Sequence, residues 1–239
     1  MPMPDSDVPD VPDLSAVLAW RASRCPCGVP VEHPGVCDSC ASTYDDGAFS
    51  ELLRPARESV PAMLRWASMR AHELAQRCDP VAVRRVAGLR PLPTSVAIVG
   101  PAGSGKSSLA AAIMRDIHAS ARPTMPHAAL ERCRRAYWVS AGELEAQVAE
   151  DRRREERQGE IDFLRRAMRA SVLALDNVEP HRDGVSSAVG RVIMSRRDRM
   201  LPTIITTWMS EDEAGRHYGG GVSRRAYEVT IQVRGRGER

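Results

Sequence analysis

Residues 100–108 read Gly-Pro-Ala-Gly-Ser-Gly-Lys-Ser-Ser, and Lys106 is the single lysine of the chain. The types and spacing are those of G-x-x-x-x-G-K-S. Glycines let successive backbone N–H groups turn inward around the β- and γ-phosphates of a nucleoside triphosphate. A helix starting at the end of the loop adds the positive end of its dipole. Gly100, Pro101, Ala102, Gly103, Ser104, Gly105, Lys106, Ser107 and Ser108 are therefore candidate cofactor-binding residues. Lys106 supplies a point charge to the phosphates, and Ser107 offers a hydroxyl to Mg²⁺. An ordinary glycine-rich turn can match this pattern by chance, so the flanks decide. Val96-Ala97-Ile98-Val99 is a β-branched apolar run before the loop, and Leu109 to Ile117 is an alanine-rich helical run after it. Strand, loop and helix in that order are what phosphate binding requires. A nucleoside triphosphate with Mg²⁺ is the expected cofactor pair.

Further along, Ser171-Val172-Leu173-Ala174-Leu175-Asp176-Asn177 reads as a buried strand ending in a carboxylate. Asp176 is expected to orient the Mg²⁺ shell across from Ser107. Leu201 to Thr207 is another strand, ending in hydroxyls, with Thr207 a candidate cofactor-binding residue.

A different chemistry stands near the start. Cys25 and Cys27 form a C-x-C pair, and Cys37 and Cys40 form C-x-x-C. Thiolates in close pairs fill a tetrahedral Zn²⁺ shell, and four protein ligands leave no open position, so the site would be structural. His33 lies between the pairs and can replace one thiol. The competing reading is four thiols on a flexible arm. Cys78 and Cys133 stand apart and read as buried structural residues.

The elements that must position these groups follow from periodicity. Residues 1–13, rich in proline and aspartate, have little to bury. Thr43 to Leu53 reads as linker. Glu58 to Arg77 has helical spacing of apolar residues, and Val81 to Leu89 is a second short helix. Ala136 to Val139 is a strand; Ser140 with Glu143 is a capping-box signature. Phe163, Leu164, Ala167 and Met168 mark a helix with Arg165, Arg166 and Arg169 on its polar side. Gly184 to Met200 is helical, with Arg191, Arg196, Arg197 and Arg199 outward. Ser210 with Glu211, Asp212 and Glu213 starts a helix. Gly219 to Gly221 reads as a mobile turn, and Glu228 to Val233 as the last strand. Strands alternating with helices over residues 95–233 predict a doubly wound parallel α/β sheet. The expected division is a partner-binding module over 1–50, a helical linker over 51–94 and an ATPase core over 95–239.

Composition sets outer bounds. The chain has 239 residues, 43% of them hydrophobic, enough for a full core with a small appended module. No apolar run approaches the ~20 residues of a membrane span. The N-terminus lacks the basic start and apolar stretch of a secretory signal, so a cytoplasmic location is expected. Net charge is only +3, which by itself does not announce a nucleic-acid binder.

Taken together, several segments resemble the DnaC/IstB-type AAA+ ATPases, a family of helicase loaders and transposition helpers. They are Ser59-Val60-Pro61 with Arg65 to Ser68, the phosphate loop, Tyr137 to Ser140 with Glu143-Leu144, Leu173 to Asp176, Leu201 to Thr207, and Tyr218-Gly219 with Val222 to Arg225. The resemblance implies an AAA+ P-loop core, a homo-oligomer with ATP at subunit interfaces, and Arg225 as an arginine finger reaching a neighbour's γ-phosphate. With Lys106 and Asp176 it would form the catalytic set. The resemblance also implies a hexameric replicative helicase as partner, gripped by the cysteine-rich module. It implies single-stranded DNA contacted by Arg152 to Arg154 or by Arg165, Arg166 and Arg169. Three positions depart from the family. Asn177 stands where a second acid orients water, Trp208 where an asparagine senses the γ-phosphate, and Gly221 where a further arginine stands. The first two bear on hydrolysis, so binding without brisk turnover is expected unless Glu179 restores a base. Three functions remain open at this point: a helicase loader, a transposition helper on duplex DNA, and a nucleotide-binding regulator without DNA work.

Overall fold

The computed structural model describes residues 46–69, 72–89, 92–121, 127–153, 157–180 and 187–235. Cys25, Cys27, Cys37, Cys40 and His33 lie outside the described residues, as does Arg154; the side chains of Arg152 and Arg153 lie outside them too.

Five strands form one parallel sheet: β1 (Ser95–Val99), β2 (Tyr137–Ser140), β3 (Leu173–Val178), β4 (Thr203–Thr207) and β5 (Val229–Gln232), in the order β2-β3-β4-β1-β5. Every neighbouring pair is parallel. Such a sheet is covered on both faces, and the strands show it in their alternation. Val96 and Ile98 of β1 point to one face with Trp138, Ala174, Ile204 and Ile231. Ala97 and Val99 point to the other with Tyr137, Val139, Leu173, Leu175 and Ile205.

The first face is packed by α2 (His72–Arg77), α3 (Pro80–Ala87) and α4 (Lys106–Ser120), whose Leu109 to Met114 run is almost wholly buried. The second face takes α6 (Ala141–Arg153), α7 (Arg157–Arg169), α8 (Ala188–Asp198), α9 (Glu211–Tyr218) and α10 (Gly220–Ala226). The two remaining helices are α1 (Asp46–Ser59) and α5 (His127–Arg134).

Four local expectations are corrected. The stretch expected to be linker before Leu53 is helical from Asp46, as part of α1. Leu53 is fully buried against Ala121, Leu130 and Cys133, so burial outweighs polar composition. The helix also protects the sheet: the N–H of Trp138, on edge strand β2, donates to Ser59 Oγ at 3.2 Å. The helix expected over Glu58 to Arg77 is broken, because Pro61 lacks a donor and turns the chain into a 3₁₀ turn at Ala62–Leu64 before α2. Gly220 and Gly221 open α10 instead of a mobile turn. Finally, Arg196 is not outward but fully buried. Its guanidinium donates to the carbonyls of Ala167 (2.9 Å), Ala170 (2.6 Å) and Pro202 (2.6 Å) and to Thr203 Oγ1 (2.9 Å). Burial pulls its pKa down to about 9.

Other expectations hold. Glu143 N donates to Ser140 Oγ at 3.1 Å. Ser210 and Glu213 form a full capping box at the start of α9. Among the described residues no helix is long and apolar enough to cross a membrane.

Candidate nucleotide-binding site

The phosphate loop joins β1 to α4 at the C-terminal end of the sheet, where parallel α/β proteins place their ligands. Two glycines are fixed by contact. A Cβ on Gly100 would lie 2.3 Å from the Val233 carbonyl oxygen, so only glycine lets the chain beyond β5 pass this close. Gly105 has φ +99°, and a Cβ there would meet Cys78 Sγ at 2.6 Å. Cys78 is fully buried beneath the loop, with its thiol 3.6 Å from the Gly105 carbonyl oxygen. The next residue, Asp79, caps α3 by accepting from Val81 N (2.9 Å) and also accepts from Arg234 N (3.3 Å). The elbow between α2 and α3 thus touches both the loop and the chain leaving β5. Burial works against the Asp79 carboxylate, but these backbone donors and the Arg234 charge win and hold its pKa below the usual value.

Inside the loop, Lys106 Nζ donates to the Pro101 carbonyl at 2.7 Å. Partial burial lowers the pKa of its ammonium, opposed by the charge of Asp176. The Ser104 hydroxyl is buried with no partner among the described residues, a polar atom still to be satisfied in a loop shaped for phosphate oxygens.

The loop and β3 meet across β4. Ser107 Oγ donates to Asp176 Oδ1 at 2.8 Å, and Thr206 Oγ1 donates to the same oxygen at 2.6 Å. A bulge produces this arrangement. Leu175 pairs with Ile205 and Val178 with Thr207, so Asp176 and Asn177 together oppose Thr206. Asn177 takes φ +56°, which asparagine tolerates, and its N–H donates to Thr206 Oγ1 at 2.8 Å. One carboxylate and two hydroxyls are a hard oxygen set that fits Mg²⁺, leaving positions for water and phosphate. Thr207, expected to touch the cofactor, is committed elsewhere: its hydroxyl donates to the Val178 carbonyl (2.7 Å) and accepts from Met209 N (3.0 Å), and it is buried. Thr206, which the sequence reading does not single out, is the hydroxyl of the pair that meets Asp176. Which of two adjacent hydroxyls faces the loop depends on the bulge, which leaves no mark in the sequence.

Two further positions lie at the same end of the sheet. Asn177 Nδ2 donates to Glu179 Oε1 at 2.9 Å, so the amide and the nearby acid form a pair on the exposed rim. Trp208 follows β4 directly and is 45% exposed. Arg225 is not gathered with the loop residues. Its guanidinium lies on α8, against Met194 Sδ (2.9 Å) and Asp198 Oδ1 (3.9 Å).

No protein-family profile matches the sequence, and no curated protein matches it. Solved structures do. The crystal structure of the DnaC helicase loader aligns with TM-score 0.50 and 18% identity, over 72% of this chain and 99% of that one. This chain shares its fold. DnaI aligns with TM-score 0.50 and 16% identity, over 70% of this chain and 95% of that one. A DNA replication initiation factor gives TM-score 0.51 and 13% identity, over 70% of this chain and 49% of that one. The common part is an α/β P-loop NTPase-like fold built on the five-stranded parallel sheet.

Proposed function

We propose that this chain is an ATP-switched helicase loader of DNA replication. In this reading a hexameric replicative helicase is gripped by residues 1–50 and delivered to single-stranded DNA in the cytoplasm. The observation that carries it is the meeting of Ser107, Asp176 and Thr206 beside the phosphate loop, on a fold shared with the DnaC helicase loader.

Each residue has a part. Backbone N–H groups of Gly103 to Ser107 hold the phosphates, and Lys106 leaves the Pro101 carbonyl to neutralise them. Ser107 and Asp176 hold Mg²⁺, with Thr206 keeping the carboxylate in place. Bound Mg²⁺ supplies charge neutralisation between phosphate oxygens. Arg225, engaged by α8 in its own subunit, serves the nucleotide of a neighbour. Its contacts with a thioether and a distant, exposed carboxylate are weak enough to exchange for a phosphate. Cys25, Cys27, Cys37 and Cys40 bind one Zn²⁺ that folds the partner-binding module. Turnover is slow: Asn177 cannot accept a proton as a carboxylate does, and its amide holds Glu179 in a hydrogen bond. ATP therefore acts mainly as an assembly signal.

The test is light scattering after size exclusion, with and without ATP-Mg²⁺, on wild type and Arg225→Ala, with phosphate release followed in parallel. Wild type is expected to assemble only with ATP, the variant to bind nucleotide but stay dissociated, and little phosphate to appear. An oligomeric state indifferent to ATP overturns the switch. A turnover rate ordinary for AAA+ enzymes, abolished by Glu179→Ala or Asn177→Ala, overturns the claim of slow hydrolysis.

A further inference from the structure

The opposite end of the sheet carries a cleft of about 480 Å³ that the nucleotide site does not use. It is lined by four arginines, Arg132, Arg135, Arg169 and Arg199, with Ser171, Leu201 and one acid, Glu131. All four arginines are exposed. They come from three separate connections, where the chain leaves α5 for β2, α7 for β3 and α8 for β4.

The connections are tied to one another. Arg135 Nη2 donates to the Arg169 carbonyl at 2.6 Å, Ser171 N donates to the Arg135 carbonyl at 3.0 Å, and Ser171 Oγ donates to the Arg132 carbonyl. Beneath them lies buried Arg196, which holds the carbonyls of Ala167, Ala170 and Pro202. Its guanidinium fixes the loops that carry the cleft's charges.

Arginines at helix C-termini have an ordinary use, since each helix end carries about half a negative charge. Three helix ends converge here, so about −1.5 charges are to be met. Glu131 adds one more, and Arg134 meets it at 3.2 Å. Four guanidinium groups with Arg196 below exceed that requirement by two or more positive charges, on the same per-helix estimate. The surplus makes the cleft electropositive, a surface that attracts anions.

Charges spread over three connections suit a row of phosphates better than one compact anion, and each guanidinium fork can take a phosphate bidentately. A recess admits a flexible strand, whereas the grooves of a duplex receive protruding elements. Between the lining residues Arg199 and Leu201 in the chain, Met200 is 63% exposed, an apolar side chain left to solvent. We infer that this cleft is a single-stranded nucleic-acid site gripping consecutive backbone phosphates. It deepens the DNA-binding part of the proposed function and rests on that reading. It also divides the arginines of α7. Arg169 belongs to this cleft, whereas Arg166 lies over the Tyr137 ring in a separate cleft that Asp176 also lines.

The experiment is fluorescence anisotropy of a labelled oligo-dT on the full chain, repeated over a range of salt. The cleft variant is Arg132→Glu with Arg199→Glu, whose effect is compared with that of Arg84→Glu and Arg85→Glu, an equal charge change on α3. The cleft variant is expected to bind about tenfold more weakly or worse, with the log–log salt slope reduced by about 1.4 for two lost phosphate contacts. The α3 variant is expected to keep at least half of the wild-type affinity. Binding of a fluorescent ATP analogue, unchanged in both, shows that both are folded. Equal losses in the two variants, or none in either, overturn the site. Competition by poly-glutamate as strong as by oligo-dT overturns nucleic acid in favour of an acidic protein. Equal affinity for duplex overturns the choice of a single strand. Each failure leaves ATP-dependent assembly standing, so it is distinguishable from failure of the loader reading.

Discussion

At the scale of single residues, Asp176 depends on neighbours that the sequence places in two other elements, α4 and β4. Lys106, Ser107 and Asp176 were legible because a phosphate loop and an apolar strand ending in an acid are local patterns. Thr206 was not, because its role depends on two residues of β3 opposing one of β4. His118 was also hidden in the sequence. It is buried on α4, its ring nitrogens have no hydrogen-bond partner among the described residues, and burial, with Arg57 and Arg115 nearby, lowers its pKa to about 4. The unfolded chain protonates this imidazole near pH 6.5, well before the folded chain does. Its contribution is therefore complete above pH 6.5 and is lost as pH falls toward 4. Denaturant titrations of His118→Leu are expected to show an acid limb flatter by on the order of 2–3 kcal/mol across that window. An unchanged limb would mean that the ring is hydrated or partnered in solution.

At the scale of elements, sequence periodicity found the five strands and most helices but misjudged what burial does at the edges. α1 carries Pro55 and a polar face, yet its Leu53 and Ser59 close a satellite core and cover β2. α8 has arginines at three positions, with Arg199 just past its end, and nothing in their spacing separates Arg196 from the rest. What separates it is the convergence of three carbonyls and a threonine hydroxyl on one guanidinium. Arg196→Met would leave those acceptors buried and unmet, at about 1–3 kcal/mol each before relaxation. A loss of about 3 kcal/mol or more in folding stability is expected from urea unfolding, with Arg196→Lys restoring only part of it. A loss under about 1 kcal/mol would mean that the acceptors find water and that the arginine is not a keystone.

At the scale of the whole molecule, the parallel sheet gives the protein two chemically distinct ends. Strands of five residues span about 16 Å, so an anion in the arginine cleft and a nucleotide in the loop cannot touch. In the Arg225→Ala background, where the proposed function expects assembly to be lost, oligo-dT affinity is expected to change less than twofold on saturation with a non-hydrolysable ATP analogue. A change above tenfold would show that the two ends communicate within one subunit. The alternation that predicted this sheet was plain in the sequence; the gathering of four arginines from three connections at its far end was not, because those connections are distant from one another along the chain.

The elbow at Cys78 and Asp79 touches the phosphate loop on one side and the chain beyond β5 on the other, and in the chain it stands between α1 and the loop. Phosphate entering the loop must either leave Gly105 where Cys78 holds it or do work against that contact. Thermodynamic reciprocity makes the exchange two-way: whatever factor nucleotide imposes on a partner held through the preceding helices, the partner imposes on nucleotide. A helicase seated at the N-terminal side would then be an effector of ATP affinity as well as cargo.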